Sequence, residues 1–374
     1  VIYVLFFVLL YFLSSPRSYY FFTFDKNLDK KNTVEEKYDI LSEQHKYLLN
    51  VLLIFGNEKT NLSFVIDNFF EDQKTEEFYD LIYDLRDASW LVLEKDKYFI
   101  SKEVEDFLFK FYPPKVENSE IVIEYFLKIL IPPFKNRLEI ETELLLLKVL
   151  YRIKGNSKSL AQLNDYYAQY LDFIGEYQSA IKFYSLAVKI YSSLKIQDSV
   201  LCNFYNHLAE EYFKIADYDN ALAISYKTEN IIYSLSFENI VLLVYTYTLI
   251  SHIYFKQKKY QLAYSYAKKA LDIAKNKVID KNILADLYYE TAIIAMKLKK
   301  YDKALFLLEK SYDYAQNVST KEKNYDLLER IRSQKHYLQM LNKLDFAITK
   351  IGDKKIIFFL IILIILIIVV SVLL

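Results

Sequence analysis

The chain has little of what most folds place at their corners. Its 374 residues hold four glycines and five prolines, about 2% of the total against roughly 12% in average usage. Sandwiches, barrels and loop-rich enzymes need glycine at positive φ and proline in their turns, whereas helices joined by short polar turns need few of either. A mostly α-helical chain is expected. Glycine is also too scattered for a phosphate-binding loop: Gly56, Gly155, Gly175 and Gly352 lie 20 or more residues apart, and neither GxGxxG nor GxxxxGK[ST] occurs.

Cysteine is nearly absent. Cys202 alone cannot close an intrachain disulfide or build a thiolate cluster, and its expected role is that of a small buried hydrophobe. No sign of charge prevails: 48 basic against 48 acidic side chains leave no global field to attract nucleic acid or an anionic membrane. Four histidines occur, and only His207 with Glu210, near His252, suggests a metal pair; tyrosine-rich helix surfaces account for them better. Cys202 and His207, five residues apart, do not share a helix face as a nucleophile and base would. No catalytic residue, cofactor or metal is expected, no small-molecule substrate is identified, and the chain is not expected to be an enzyme.

Apolar residues are abundant, and two runs mark the ends. Residues 356–374, IIFFLIILIILIIVVSVLL, have Ser371 as their only polar member. A helix there reaches ~28 Å at ~1.5 Å per residue, close to the ~30 Å of a hydrocarbon core. A C-terminal transmembrane helix is expected, and Lys350, Lys354 and Lys355 before it place the preceding body on the cytoplasmic side. The expected localisation is therefore a membrane, through a single-pass C-terminal anchor. Residues 1–22 open with VIYVLFFVLLYFL, apolar but short of the ~20 residues that span; signal-peptide core and truncated span both stay open, as does a chain that is a fragment.

Between the ends lies a repeat. GEYQSAIKFYSLAVKI from Gly175, ADYDNALAISYKTENI from Ala216, KKYQLAYSYAKKALDI from Lys258 and KKYDKALFLLEKSYDY from Lys299 align without gaps. Each sets Tyr three residues before Ala, at Tyr177/Ala180, Tyr218/Ala221, Tyr260/Ala263 and Tyr301/Ala304, with intervals of 41, 42 and 41 residues. A second small residue recurs upstream, at Ala168, Ala209, Ser251 and Ala292. The spacing predicts helical hairpins in which the aromatic plugs the turn and two small residues let the helices approach closely. Such units cannot bury their apolar stripes alone, so they stack, and the terminal ones need capping.

These strings resemble the tetratricopeptide repeat (TPR) over residues 161–318, as four repeats. Asn164, Tyr205, Tyr247 and Tyr288 fall at its first aromatic position, Gly175 at its turn glycine, and Ala187 and Ala270 at its later small position. Ala216, Lys258 and Lys299 replace the turn glycine, Thr228 and Ser311 the later alanine, and the period exceeds the commoner 34 residues, as in the long repeats of kinesin light chains and bacterial signalling proteins. The resemblance implies a groove lined by the first helix of each hairpin, where it places Asp165, Gln169, Asn206, Glu210, Thr248, His252, Tyr289 and Ile293. Lys214, Lys256 and Lys297 recur at one further position, as a basic ladder or as solvated lysines. The Lys and Asn arrangement with which some TPR co-chaperones clamp a terminal carboxylate is missing.

Flanking segments are helical too. Residues 319–350 carry apolar positions at helical spacing, among them Leu327, Leu328, Ile331, Leu338, Leu341 and Leu344, and read as a capping helix. Residues 119–160 read as a helical connector broken at Pro132 and Pro133. In 36–112, helical stretches over 38–54, 60–70 and 74–88 precede a β-hairpin in WLVLEKDKYFI. That order resembles the winged-helix module of STAND-type signalling NTPases, with Leu81, Leu85, Trp90, Leu91 and Tyr98 to Ile100 at matching positions and Ser89 in place of the usual glycine. Between Glu71 and Asp87 seven acids oppose two bases, so this module is unsuited to DNA; no nucleic-acid partner is expected.

The fold expected is all-α: a TPR-type α-solenoid, a small winged-helix-like N-terminal domain and the C-terminal transmembrane helix. The function expected is a membrane-anchored scaffold binding a protein or peptide partner without catalysis. The alternatives are the C-terminal sensor fragment of a STAND-type NTPase or of a membrane-bound transcriptional regulator.

Overall fold

The computed structural model describes residues 30–55, 65, 69, 75–94, 97–235, 240–275, 280–316, 325–350, 358 and 361–365. The chain divides into two compact units, Val1–Leu163 and Asn164–Leu374.

The first unit contains α1 (Lys30–Asp39), α2 (Glu43–Phe55), α3 (Thr75–Asp87), β1 (Leu91–Glu94), β2 (Lys97–Ile100), α4 (Lys102–Phe111), α5 (Glu120–Ile129) and α6 (Ile140–Arg152). The helix expected to run continuously over 38–54 is broken at residues 40–42, where the Ser42 hydroxyl accepts from the His45 amide at 3.3 Å and caps α2. Of the stretch 60–70, Val65 and Phe69 are described, both buried; the rest lies outside the described residues. The hairpin pairs Leu91 with Ile100 and Glu94 with Lys97, antiparallel. Ser89, at the position of the usual glycine, has φ +63, and its amide and that of Trp90 bond back to Arg86 O and Leu85 O at 2.8 Å each, closing α3. α2 is buried at Leu48, Leu49 and from Val51 to Phe55, and Arg152 of α6 locks it by donating to Leu53 O at 2.7 Å.

The second unit is built of antiparallel helix pairs. They are α7 (Lys158–Phe173), which crosses the division between the units, with α8 (Tyr177–Ser193); α9 (Ser199–Lys214) with α10 (Tyr218–Ser234); α11 (Ile240–Lys256) with α12 (Tyr260–Lys275); and α13 (Lys281–Lys297) with α14 (Tyr301–Gln316). Each pair is joined by three residues and successive pairs by five, so the length beyond 34 goes into helices of 16 or 17 residues. α15 (Tyr325–Lys350) packs on α14, burying Leu327, Leu328, Ile331 and Leu338, with Lys335 paired to Glu309 at 3.7 Å.

The small residues are where close packing requires them. Ala180, Ala221, Ala263 and Ala304 are wholly buried, as are Ala168, Ala209 and Ala292. Ser251, the one serine among them, donates its hydroxyl across the notch to Ala263 O at 2.9 Å. At the later position Thr228 and Ser311 stand beside Ala187 and Ala270 with no exposure; their hydroxyls donate to Ile224 O at 3.0 Å and Ala285 O at 2.7 Å. A buried hydroxyl is tolerated when paired, which is how the sequence departs from alanine there. The turn tyrosines are less enclosed than plugs would be: Tyr177 is 41% exposed, while Tyr218 and Tyr260 lean on Phe213 and Phe255, with centroids 6.0 and 5.5 Å apart.

All four hairpin turns close the first helix in the same way. Gly175, Ala216, Lys258 and Lys299 sit at φ +88, +62, +61 and +59. Their amides bond three residues back, and the next amides bond five back, as in Asp217 N to Tyr212 O at 2.8 Å and Lys300 N to Ala295 O at 3.0 Å. This is the left-handed Schellman close, which satisfies the last helical carbonyls.

The expected C-terminal anchor is corrected. Among the described residues no helix is long and apolar enough to cross a membrane. Of the run 356–374, residues 358 and 361–365 are described, and the rest lies outside the described residues. The membrane localisation and cytoplasmic body drawn from that anchor are withdrawn with it. Residues 1–22 lie outside the described residues.

Two stability effects follow. Ala216→Gly, Lys258→Gly and Lys299→Gly should each stabilise the protein by about 0.5–1 kcal/mol, since a Cβ is penalised in the left-handed region; chemical denaturation of single variants measures this. Ala221→Leu should destabilise by about 1–3 kcal/mol through overpacking of the notch, read in the same titration.

Candidate functional site

On α7, α9, α11 and α13 most residues are buried between helices, and solvent reaches one stripe. On α7 it runs Gln162, Tyr166, Gln169, Phe173; on α9, Asn203, His207, Glu210, Lys214; on α13, Asp286, Glu290, Ile293, Lys297, none of them buried. The spacing i, i+4, i+7, i+11 is a single helix face. α11 contributes Tyr245, His252 and Lys256, while Leu249 is buried.

The residues placed in the groove by resemblance divide accordingly. Gln169, Glu210, Lys214, His252, Lys256, Ile293 and Lys297 are on the stripe. Asp165 and Asn206 are 2% and 1% exposed and face neighbouring helices. Thr248 and Tyr289, half-buried, lie beside it; Thr248 donates to Val244 O at 2.9 Å, and Arg330 of α15 stands over the Tyr289 ring at 5.3 Å. Sequence reasoning passed over Gln162, Tyr166, Asn203, His207, Tyr245, Asp286 and Glu290; stepping three, four and seven residues from Gln169 and its equivalents would have found them.

Polar side chains bridge each first helix to the next. His207 donates Nδ1–H to Asp165 at 2.8 Å, and Gln169 donates to the other oxygen of that carboxylate at 2.7 Å. Lys214 reaches Asp172 at 2.7 Å and Glu211 at 2.8 Å. Thr246 donates to Asn206 at 3.0 Å, Tyr245 donates to Glu210, and His252 pairs with Glu290 at 2.9 Å. Every candidate metal-binding side chain of the sequence reading is thereby held by its own partner. Among the described residues no group of three or more His, Cys, Asp or Glu could hold a metal ion. Cys202 is wholly buried, and burial with the charge of Asp198 pushes its thiol up to about 11, away from the thiolate a nucleophile needs.

Residues 242–317 match the tetratricopeptide repeat family. The helices of that stretch are similar to tetratricopeptide repeats. The matched stretch covers α11 to α14, and the two preceding hairpins share its register and its left-handed turns. No curated protein matches the sequence. Similar solved structures include BtubC (BKLC) from P. vanneervenii, 17% identical, covering 53% of this chain and 79% of that one at a TM-score of 0.44. A putative kinesin light chain with nearly identical TPR-like repeats from Podosopora anserina is 15% identical, covering 53% and 99% at 0.41. The apo form of RapI is 15% identical, covering 74% and 72% at 0.47.

The bridges between the first helices are titratable. Burial pulls both imidazoles down, but it is outweighed for His207 by the bond and charge of Asp165 with Glu210 and Glu211, and for His252 by Glu290 with Glu210, so both are raised. Glu211 is 1% exposed, and burial drives its carboxyl up to about 7 against the pull of Lys214; its Oε2 has no hydrogen-bond partner. Groups raised on folding bind protons more tightly in the folded state, so each contributes stability that is present below its unfolded pKa and lost as pH rises through its folded one. The melting temperature should therefore fall as pH rises from about 4.5, the ordinary value for Glu211, and keep falling above 6.5, the ordinary value for the two histidines. Glu211→Gln should flatten the part of the slope between about 4.5 and 7; a flat wild-type profile over that range would refute the assignment.

Proposed function

We propose that the protein is a non-catalytic helical-repeat scaffold that binds a protein or peptide segment along the exposed stripe of its first helices. The observation that carries this reading is the stripe itself. Four successive helices present Gln169, Glu210, His252 and Ile293 in one register, on a surface held rigid by a bridge at every helix-to-helix step. A rigid surface with many modest contacts loses little entropy on binding an extended partner. Asp165 and Asn206 act in this reading by holding the helices, while Gln169, Glu210, Lys214, Thr248, His252, Lys256, Tyr289, Ile293 and Lys297 face the partner. The helices and hairpin of the first unit are read as a winged-helix-like packing or docking module. Support comes from the left-handed Ser89 and from the exposed acids Glu76, Asp80, Asp84 and Asp87 on α3, which disfavour a duplex.

The test is selection of displayed peptides on the full chain. Selected peptides should lose at least about tenfold in affinity, roughly 1.4 kcal/mol, for the triple variant Gln169→Ala, His252→Ala, Ile293→Ala while its circular dichroism is unchanged. Peptides that bind both proteins equally would sink the reading.

A further inference from the structure

The edge of the second unit formed by the hairpin turns reverses its charge along the repeats. At the first two turns acids prevail: Glu176 and Asp219 are exposed and Asp217 half-buried, while Lys214, the equivalent of Lys256, is paired with Asp172 and Glu211. At the next two they are basic. Lys256, Lys258 and Lys259 flank the turn between α11 and α12; Lys297, Lys299 and Lys300 flank that between α13 and α14, with Lys303 in the first turn of α14. All seven are exposed, and among the described residues none is in an ion pair.

The two turns make one patch. Lys300 and Lys303 of the last hairpin stand over the ring of Tyr264 in the hairpin before it, 5.0 and 5.4 Å from its centroid, and Lys259 stands over Tyr254 at 5.8 Å. Asp302 is the only acid in these two turn segments, 256–260 and 297–303. Surfaces ordinarily intersperse the two signs, and in a chain with as many acids as bases this concentration is a local departure.

We propose that this lysine edge docks an acidic segment of a partner polypeptide. The proposal deepens the partner-binding reading and rests on it for the kind of partner: Lys256 and Lys297 are the last residues of the stripe, so a segment leaving the stripe at that end meets the edge. Nucleic acid fits the surface poorly. The rings that bases would stack on are taken, Tyr264 being buried beneath two lysines and Tyr254 stacked on Tyr266 under Lys259. A long polyanion following the edge would also run onto Glu176 and Asp219, whereas an acidic peptide segment ends within two turns.

The test is fluorescence anisotropy of a labelled glutamate peptide of about ten residues on the full chain. Binding is expected at about 0.05 M salt and should weaken several-fold by about 0.3 M. Lys258→Gly with Lys299→Gly removes two charges at left-handed positions where glycine is favoured. That variant should hold or raise the melting temperature while weakening the peptide about threefold or more, and Lys258→Glu, Lys299→Glu, Lys300→Glu should weaken it about tenfold or more. No binding at low salt, equal binding by the double glycine variant, or equal and equally lysine-dependent binding of an oligouridylate of the same length would overturn the proposal. The triple alanine variant of the stripe separates the two readings. Peptides that need the stripe but ignore the lysine substitutions remove the edge and keep the stripe, and glutamate peptide that needs the lysines when no stripe-dependent peptide is found removes the stripe reading instead.

Discussion

Close contact between paired helices at a small-residue notch is the constraint on which the second unit depends. Ala209 and Ala221 share one buried cluster, and Ala292 and Ala304 are likewise wholly buried; side chains this small let paired helices approach closely. One consequence is a core made by flanking residues of adjacent hairpins: Ala209 and Ala221 pack with Leu249 and Ile253 of the next first helix, closed over by Tyr212, Phe213 and Tyr218. Another is that first helices stack side by side and must be joined by something other than apolar contact along the one stripe left to solvent. Polar bridges fill that role, and they leave charged and neutral side chains fixed in space at regular intervals.

The repeat was legible because the notch admits few residues. Where steric tolerance is about one methyl group, sequence and structure correspond closely, and the Tyr and Ala register marks all four hairpins. Its apparent exceptions obey the same physics: Ser251, Thr228 and Ser311 are small, and each hydroxyl finds a carbonyl. The left-handed turns were hidden for the opposite reason. A single residue at positive φ costs only about 1–2 kcal/mol, and a well-packed hairpin outweighs that, so Ala216, Lys258 and Lys299 occupy the glycine position without announcing it. Likewise the break at Ser42 depends on one hydroxyl-to-amide bond, which the apolar periodicity on either side conceals.

The stripe was half legible. Of the residues that the resemblance placed in the groove, Gln169, Glu210, His252 and Ile293 reach solvent as one row, but a shift of about 100° per residue is enough to turn the adjacent row inward. Asp165 and Asn206 are such residues. Their polarity suggested solvent, whereas they serve neighbours: one holds His207 and Gln169, the other meets Thr246. Polar identity alone cannot distinguish a side chain offered to a partner from one spent on the next helix. The tyrosines make the same point, since Tyr191 and Tyr247 are almost wholly buried yet direct their hydroxyls to Asp198 at 2.6 Å and Glu229 at 2.9 Å.

Electrostatics shows where a whole-chain sum misleads. Equal numbers of acids and bases exclude a global field, and they say nothing about how charge is distributed over distances near the ~8–10 Å at which salt screens it. Around α9 the charges cancel locally: Lys214 answers Asp172 and Glu211, and burial makes the Glu211 carboxyl hold its proton more tightly than a free one, against the pull of Lys214. Two hairpins further on, lysines crowd one edge with a single aspartate among them. The bonds that cancel charge make the stack rigid, whereas charge left uncancelled on a rigid edge gives no stability to the isolated chain, and its field becomes useful only when an opposite charge approaches.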